Sequence, residues 1–441
     1  MLATHSIYKH RSKPSPNLVE CCYTCLMHYL VKKIYSERSN LLSIGSTTVV
    51  GVFSSLFMML AFANMLEPEA LGIYQYLLAI SSIIASISLT GTNAAIVRAA
   101  GQKNYTFFPI AFRYTLLSYI PAAIIGSMTA GYYLYQGNAT LASGIAIAVS
   151  LVLTLQYFLR YGYVFIGIEE FKTSNYLLKA VALGPLFFLL PALFVVQDPV
   201  ILTGLYFGGS LVLVLVLICF LQIPKRVSEL VETSAKQVTN YKSLLAFSVH
   251  QSVIGVLNSG TAHVDKIMIF QLLGAQATAT YFIAVSIPNK IRSIIKQFEP
   301  FLFSKFAKYN AAATVDGLGF KFFLMLIGIV PIYILYILLA PLFFTSFVSQ
   351  YPEAATLTLI YALTMFGSAA IVPYSQMKAH SSSRAFYVYT LICSFTKISF
   401  LFVGIYYLQL QGAIIASTCS VIINTLLAYS MVIINRNQTK L

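Results

Sequence analysis

Twelve times along its 441 residues this sequence runs for twenty or more positions of mostly apolar side chains. The runs fall at about 41–64, 74–97, 110–134, 141–165, 176–196, 200–222, 243–272, 279–303, 319–340, 354–377, 385–408 and 412–434. A helix that crosses the hydrocarbon core of a bilayer needs roughly 20 such residues. A soluble chain would carry about 25% charged residues; this one carries 9%, against 58% hydrophobic. That composition cannot clothe a surface in water, so lipid must cover most of the outside. The expectation is an all-α polytopic membrane protein of twelve transmembrane helices.

The gaps between runs are too short to hold a folded domain. The longest, IPKRVSELVETSAKQVTNYK, is polar and divides the runs six and six. The expected organisation is a basic N-terminal extension (1–40), a first six-helix lobe (41–223), a linker (224–242), a second six-helix lobe (243–434) and a short tail (435–441).

Basic residues set the direction. With the N-terminus placed in the cytoplasm, the outward turns are EPEALG, YQGNAT, VQDPV, LGAQAT, VSQYPEA and LQLQG, and none holds Lys or Arg. The inward loops hold Arg98, Lys103, Lys172, Lys225, Arg226, Lys236, Lys242, Lys305, Lys308, Lys378 and Arg384. This is the positive-inside pattern, with both termini cytoplasmic. It also accounts for much of the net charge of +15, which faces an anionic inner leaflet. Nucleic-acid binding would instead need a clustered basic face on a soluble domain.

Residues 1–40 have no signal-type apolar core, and Met27 is an alternative start. The run CCYTC, with Cys21, Cys22 and Cys25 near His28, offers too few spaced ligands for zinc. Cys219, Cys393 and Cys419 lie singly in apolar runs, so neither a disulfide framework nor a metal site is expected.

The two halves echo one another. An offset of 207 aligns MLEPEALGIYQYLLAIS with QLLGAQATATYFIAVSI, so that Leu66 meets Leu273, Ala70 meets Ala277 and Tyr74 meets Tyr281. Parallel repeats about an axis normal to the membrane are a recurrent transporter layout.

Charges inside the apolar runs are the functional signal, because each costs roughly 2.5–3.5 kcal/mol at mid-bilayer. In the seventh run, Gln251, Asn258 and Asp265 fall on one helical stripe, His250 lies at its edge and Lys266 points elsewhere. In the eighth, Asn289, Arg292, Lys296 and Glu299 share a face, with Lys290 opposite. Lys397 sits near the middle of the eleventh, too far from either surface to snorkel, whereas Arg113 and Arg160 lie near inner ends. Each has a plain structural reading beside the functional one. Asp265–Lys266 suits an interfacial pair, Arg292–Lys296–Glu299 a local ion network, Arg113 and Arg160 interface anchors, and His250 a packed, hydrogen-bonded side chain. The functional reading gathers Lys290, Arg292, Lys296 and Lys397 with cations from both halves around a wet central cavity that attracts a phosphate or pyrophosphate headgroup. His250, Asn258, Asp265, Lys266 and Glu299 are its polar or coupling groups, for H⁺ or Na⁺. Prolines 121, 185, 191, 288, 331 and 373 suggest kinks.

The run DKIMIFQLLGAQATATYFIAVSIP resembles the span 7–8 region of Wzx-type polysaccharide (O-antigen) repeat-unit flippases. These belong to the multidrug/oligosaccharidyl-lipid/polysaccharide (MOP) exporter superfamily. LEPEALGIYQYLLAISSII is similar to the family's first outer turn and second span, and the resemblance runs along nearly the whole chain past about residue 40. It implies two six-helix lobes of MATE-like fold in the bacterial inner membrane. It also implies transfer of undecaprenyl-diphosphate-linked oligosaccharide between leaflets, alongside a polysaccharide polymerase and a chain-length regulator. Only Asp265 and Lys266 match a family position directly; the basic extension departs from the usual short start.

Two rivals remain at this level. A cation-coupled drug exporter of the same superfamily would want acids in the first lobe, and runs one to six show none at mid-span. A membrane polymerase or ligase would want a large external loop with catalytic residues. The outer turns are short and hold no His, Lys or Arg, so no enzyme activity and no cofactor is expected.

Overall fold

The computed structural model describes residues 45–233, 241–297, 318–380 and 383–438, together with Glu299, Leu302 and Phe306. The basic extension 1–40, its CCYTC run and Met27 lie outside the described residues, as do Lys236, Lys305, Lys308 and residues 439–441. The described residues are 91% helical, with no strand among them.

Over its described residues each expected run is carried by helix, the second by two in succession. In the first half these are α1 (Gly45–Met65), α2 (Pro68–Ser86), α3 (Thr92–Gly101), α4 (Phe107–Tyr135), α5 (Ala139–Gly167), α6 (Phe171–Ala192) and α7 (Pro199–Phe220). A short helix, α8 (Ile223–Thr233), opens the connector. The second half holds α9 (Tyr241–Leu273), α10 (Ala275–Lys296), α11 (Leu318–Phe347), α12 (Pro352–Lys378) and α13 (Ser383–Gln438). Nine of the described helices are long and apolar enough to cross a membrane. One of these is α13, which folds back at Gln409 (φ 49°) into two arms that carry the last two runs. The helices α9 and α10 are also long, at 33 and 22 residues, but are diluted by the polar residues discussed below.

Local sequence explains where the chain turns. Asp198 caps α7, accepting from the amides of Val200 (2.7 Å) and Ile201 (3.4 Å), with Pro199 preset in the first turn. Asn138 does the same for α5 through Leu141 N at 2.9 Å. At the α13 fold, a Cβ on Gly412 would sit 1.8 Å from the carbonyl oxygen of Gly404, so only glycine lets the arms approach this closely. The second run departs from expectation. Pro68 starts α2 six residues early, and the chain breaks at 87–91, with Leu89 at φ 33°, before resuming as α3. Of the prolines expected to kink, Pro121, Pro288 and Pro331 sit inside continuous helices, whereas Pro185 opens a π-turn in α6.

The connector is more than a polar link. Along α8, Ile223 and Val227 are buried, and Arg226 grips both oxygens of Glu170 at 2.6 Å while lying 4.8 Å from the Phe165 ring centroid. An amphipathic helix is thereby pinned to the C-terminal end of α5.

Packing runs around α5 in the first half, which contacts α2, α3, α4, α6 and α7. In the second half α13 packs on α9 and α12, and α12 on α10 and α11. The halves meet along α2, which lies against both α9 and α10. The most apolar stretches of α2 and α12 are 61% buried and that of α11 only 11%, so α2 and α12 are central and α11 is peripheral. Outward-facing side chains such as Leu338 (70% exposed) and Phe395 (74%) form the lipid-facing belt. The 207-residue echo has a spatial counterpart. Its two helices, α2 and α10, pack directly together, and a Cβ on Gly72 would fall 1.9 Å from the carbonyl oxygen of Ala275. Tyr74 and Tyr281, the equated tyrosines, are both fully buried in one apolar cluster.

Candidate functional site

Two helices supply most of the buried charge. Asp265 lies on α9 between turns of apolar residues, 10% exposed at its side chain. Tyr281 on α10 donates to its Oδ2 at 2.7 Å, and the amide of Lys266 donates to Oδ1 at 3.0 Å. Lys397, on the first arm of α13 and 13% exposed, reaches the same Oδ2 at 3.3 Å and also donates to the carbonyl of Thr261. The mid-span lysine thus has its counter-ion a helix away, which is how a charge persists at that depth. The plain structural reading pairs Asp265 with its neighbour Lys266. Adjacent residues on a helix point about 100° apart, and Lys266 turns instead to the first half, where Nζ meets Gln75 Oε1 at 2.8 Å beside the Phe282 ring.

This ion pair forms part of the wall of a cavity of about 590 Å³. Asn258, Asp265, Asn289, Arg292, Lys296, Glu299 and Lys397 all line it, with Thr261, Tyr361, Tyr389 and Asn424 among the rest. Every lining residue comes from α9, α10, α12, α13 or Glu299 just beyond α10, so the cavity lies inside the second half. No first-half residue is part of this lining, whereas the expected chamber drew cations from both halves.

The formal charge of the lining is three cations against two acids. Lys397 pairs with Asp265, and Glu299 with Lys378 at 3.0 Å rather than with Arg292 or Lys296. Arg292 donates from Nη1 to Asn289 Oδ1 at 3.3 Å, an oxygen that also accepts from Tyr361 at 3.1 Å, and its Nε is buried without a hydrogen-bond partner. Lys296 is exposed to the cavity and forms no salt bridge among the described residues. A guanidinium and an ammonium with donors to spare, four residues apart on one face of α10, make a site for an anion of more than one oxygen.

Three of the expected residues stand apart. His250 is exposed, shares a hydrogen bond with Tyr387 OH at 2.9 Å and does not line the cavity. Lys266 belongs to the seam between the halves, as does Gln75. Lys290 is half-buried, off the cavity lining and within electrostatic reach of Lys266. Arg160 is no interface anchor. It is 1% exposed, donates to Ser88 O (3.0 Å) and Asn93 Oδ1 (3.2 Å), and so ties α5 to the break between α2 and α3.

Sequence reasoning missed Tyr281 and Tyr361 as partners of the polar groups, and missed a second cavity of about 450 Å³, set mostly in the first half with Gly255 and Ser259 of α9 completing its wall. Tyrosine inside an apolar run reads as core, and an uncharged cavity gives no charge signal.

No protein-family model matches the sequence, and no curated protein does so. Solved structures do. A lipid II flippase, MurJ, in an inward closed conformation superposes with a TM-score of 0.64 at 12% identity, covering 88% of this chain and 86% of that one. An inward-facing multidrug resistance MATE family transporter of the MOP superfamily gives 0.62 at 11% identity, covering 89% and 95%. A MOP superfamily transporter from Pyrococcus furiosus, described as having reverse polarity of its binding pocket, gives 0.60 at 11% identity over 91% and 96%. The chain has the all-helical fold of the MOP-superfamily flippases and transporters.

Proposed function

We propose that this chain is a flippase that carries undecaprenyl-diphosphate-linked oligosaccharide repeat units across a bacterial inner membrane for surface polysaccharide assembly, O-antigen or capsule. The observation that carries the reading is the cavity of the second half, where Arg292 and Lys296 form no salt bridge among the described residues. Cations left unpaired inside a membrane protein are costly unless an anion joins them, and a diphosphate supplies oxygens for both. Fold likeness to both a lipid II flippase and MATE transporters supports a transporter rather than an enzyme.

Asp265 is the group we assign to ion coupling. A phosphate that draws Lys397 away would leave the carboxylate with Tyr281 alone among its side-chain partners, ready to take up H⁺ or Na⁺. The two halves, joined by a connector whose first part is α8, would alternate about the α2 seam, with polymerase and chain-length regulator as the downstream partners. A drug exporter coupled through acids in the first half is disfavoured, because the first-half cavity has no acidic residue in its lining.

The test is Arg292→Gln with Lys296→Gln in the bacterium of origin. Surface polysaccharide should fall at least tenfold while the protein still inserts and accumulates. Unchanged polysaccharide at equal expression would refute the assignment.

A further inference from the structure

The first-half cavity has a chemistry of its own. It is lined by Ser82 and Ser86 of α2, Gln156 of α5, Tyr206 and Ser210 of α7, and Ser259 of α9, among others, and no charged side chain or His is part of the lining. Each serine proton is already committed to the main chain. Ser82 and Ser86 donate to the carbonyls of Leu78 and Ile83, both at 2.6 Å. Ser210 donates to Tyr206 O at 2.8 Å, and Ser259 to Ser82 O at 3.3 Å. What these hydroxyls show to the cavity is therefore oxygen lone pairs. The Gln156 amide offers donors and an acceptor and makes no side-chain hydrogen bond among the described residues.

An anion would meet acceptors here and be repelled. An apolar chain would leave Gln156 unpaired, at the cost of a buried polar group. A ligand rich in hydroxyl protons satisfies the wall, and the rings of Tyr206 and Phe207 suit the C–H faces of a sugar, since an aromatic face carries negative charge. The volume of about 450 Å³ lies within the range of about 300–1,000 Å³ usual for small-molecule sites and far exceeds what a bare ion fills. Its position matters too. Gly255 and Ser259 line this cavity, while Asn258, Thr261 and Asp265 line the charged one, so α9 is a wall common to both.

We propose that the neutral cavity of the first half is a subsite for the uncharged sugars of the transported glycan, and that Gln156 sets its selectivity. This rests on the flippase reading given above. The division matches the ligand: a charged head against α10 and α13, and a neutral polyol against α2, α5 and α7.

The sequence contains no Trp, so a single introduced Trp reports on one cavity without background. The full chain in nanodiscs would carry Phe207→Trp (with Leu159→Trp as a second version should the first fail to fold) or, separately, Tyr389→Trp in the charged cavity. Each is titrated with sodium pyrophosphate, and with neutral disaccharides of hexoses, N-acetylhexosamines and deoxyhexoses. At least one disaccharide should shift the first-half reporter and pyrophosphate should not. Gln156→Leu should weaken that response about tenfold, the loss of one hydrogen bond at about 1.4 kcal/mol per decade. If no disaccharide acts, or if brominated acyl chains or Na⁺ alone change the first-half signal instead, the sugar subsite is refuted. Silence of the Tyr389→Trp reporter toward pyrophosphate would count against the flippase reading itself, independently of the sugar result.

Discussion

Removing Lys397 tests whether the Asp265–Lys397 pair is a real energetic unit. Both side chains are nearly enclosed, at 10% and 13% exposure, and their charged atoms lie 3.3 Å apart. Deleting one partner of a buried pair costs about 3–5 kcal/mol, because the other charge is stranded. In Lys397→Met the carboxylate keeps Tyr281 and the Lys266 amide, and the cavity beside it admits water, so the lower end applies, about 3 kcal/mol. Asp265→Leu strands the ammonium against only the Thr261 carbonyl, with a similar loss of about 3 kcal/mol. The double variant strands neither charge and should be far less damaged than the two losses combined. The expected coupling is about 3 kcal/mol, read from SDS-induced unfolding in mixed micelles followed by circular dichroism. A coupling below about 0.5 kcal/mol would mean that the pair contributes nothing as a pair, and would remove Asp265 from the coupling scheme.

Three further outcomes are expected. Between α5 and α6, burial pushes the Glu170 carboxyl up, but the Arg226 and Thr173 hydrogen bonds and the Arg226 charge outweigh it and hold the group below the usual carboxylate range. A depressed folded-state value means stability that is present above the ordinary carboxylate range and lost as pH falls through the folded value. Glu170→Gln should therefore cost about 0.5–1 kcal/mol at neutral pH for this half-exposed pair, and the difference from wild type should vanish in acid; a loss that does not change with pH would contradict it. Gly72→Val should lower thermal stability in detergent by about 1–3 kcal/mol, since the new side chain meets the Ala275 backbone, which cannot rotate away; an unaltered melting curve would show the halves packed more loosely at α2. In a cysteine-free background, Asn138→Cys should label from outside the cell and Glu229→Cys only after permeabilisation, and the reverse pattern would overturn the orientation.

The layout was legible because the bilayer imposes length and polarity on every crossing helix. Even so, the second run hid the break at Leu89, where SLTGT carries turn formers inside an apolar stretch. Buried charge was legible as a signal but not as a set of partners. Asp265 is next to Lys266 in sequence, yet helix geometry sends the lysine to Gln75 and brings Lys397, 132 residues on, to the carboxylate. Likewise Glu299 shares a helical face with Arg292 and Lys296 but bonds Lys378. These pairings depend on which helices are neighbours, and twelve similar apolar runs do not encode that in any local pattern. The first-half cavity was invisible for another reason. Ser82, Ser86 and Gln156 cost too little in an apolar run to stand out, although the four-residue spacing of the two serines was a usable hint.

The central claim is that Arg292 and Lys296 hold the diphosphate of a lipid-linked glycan during its passage. The direct measurement is transbilayer movement of undecaprenyl-diphosphate oligosaccharide in proteoliposomes, read by lectin capture of glycan that reaches the outer face. Wild-type protein should raise the rate well above protein-free vesicles, and Arg292→Gln with Lys296→Gln should return it to that baseline with the fold intact by circular dichroism. Equal rates for the wild type and the neutralised variant would contradict the account.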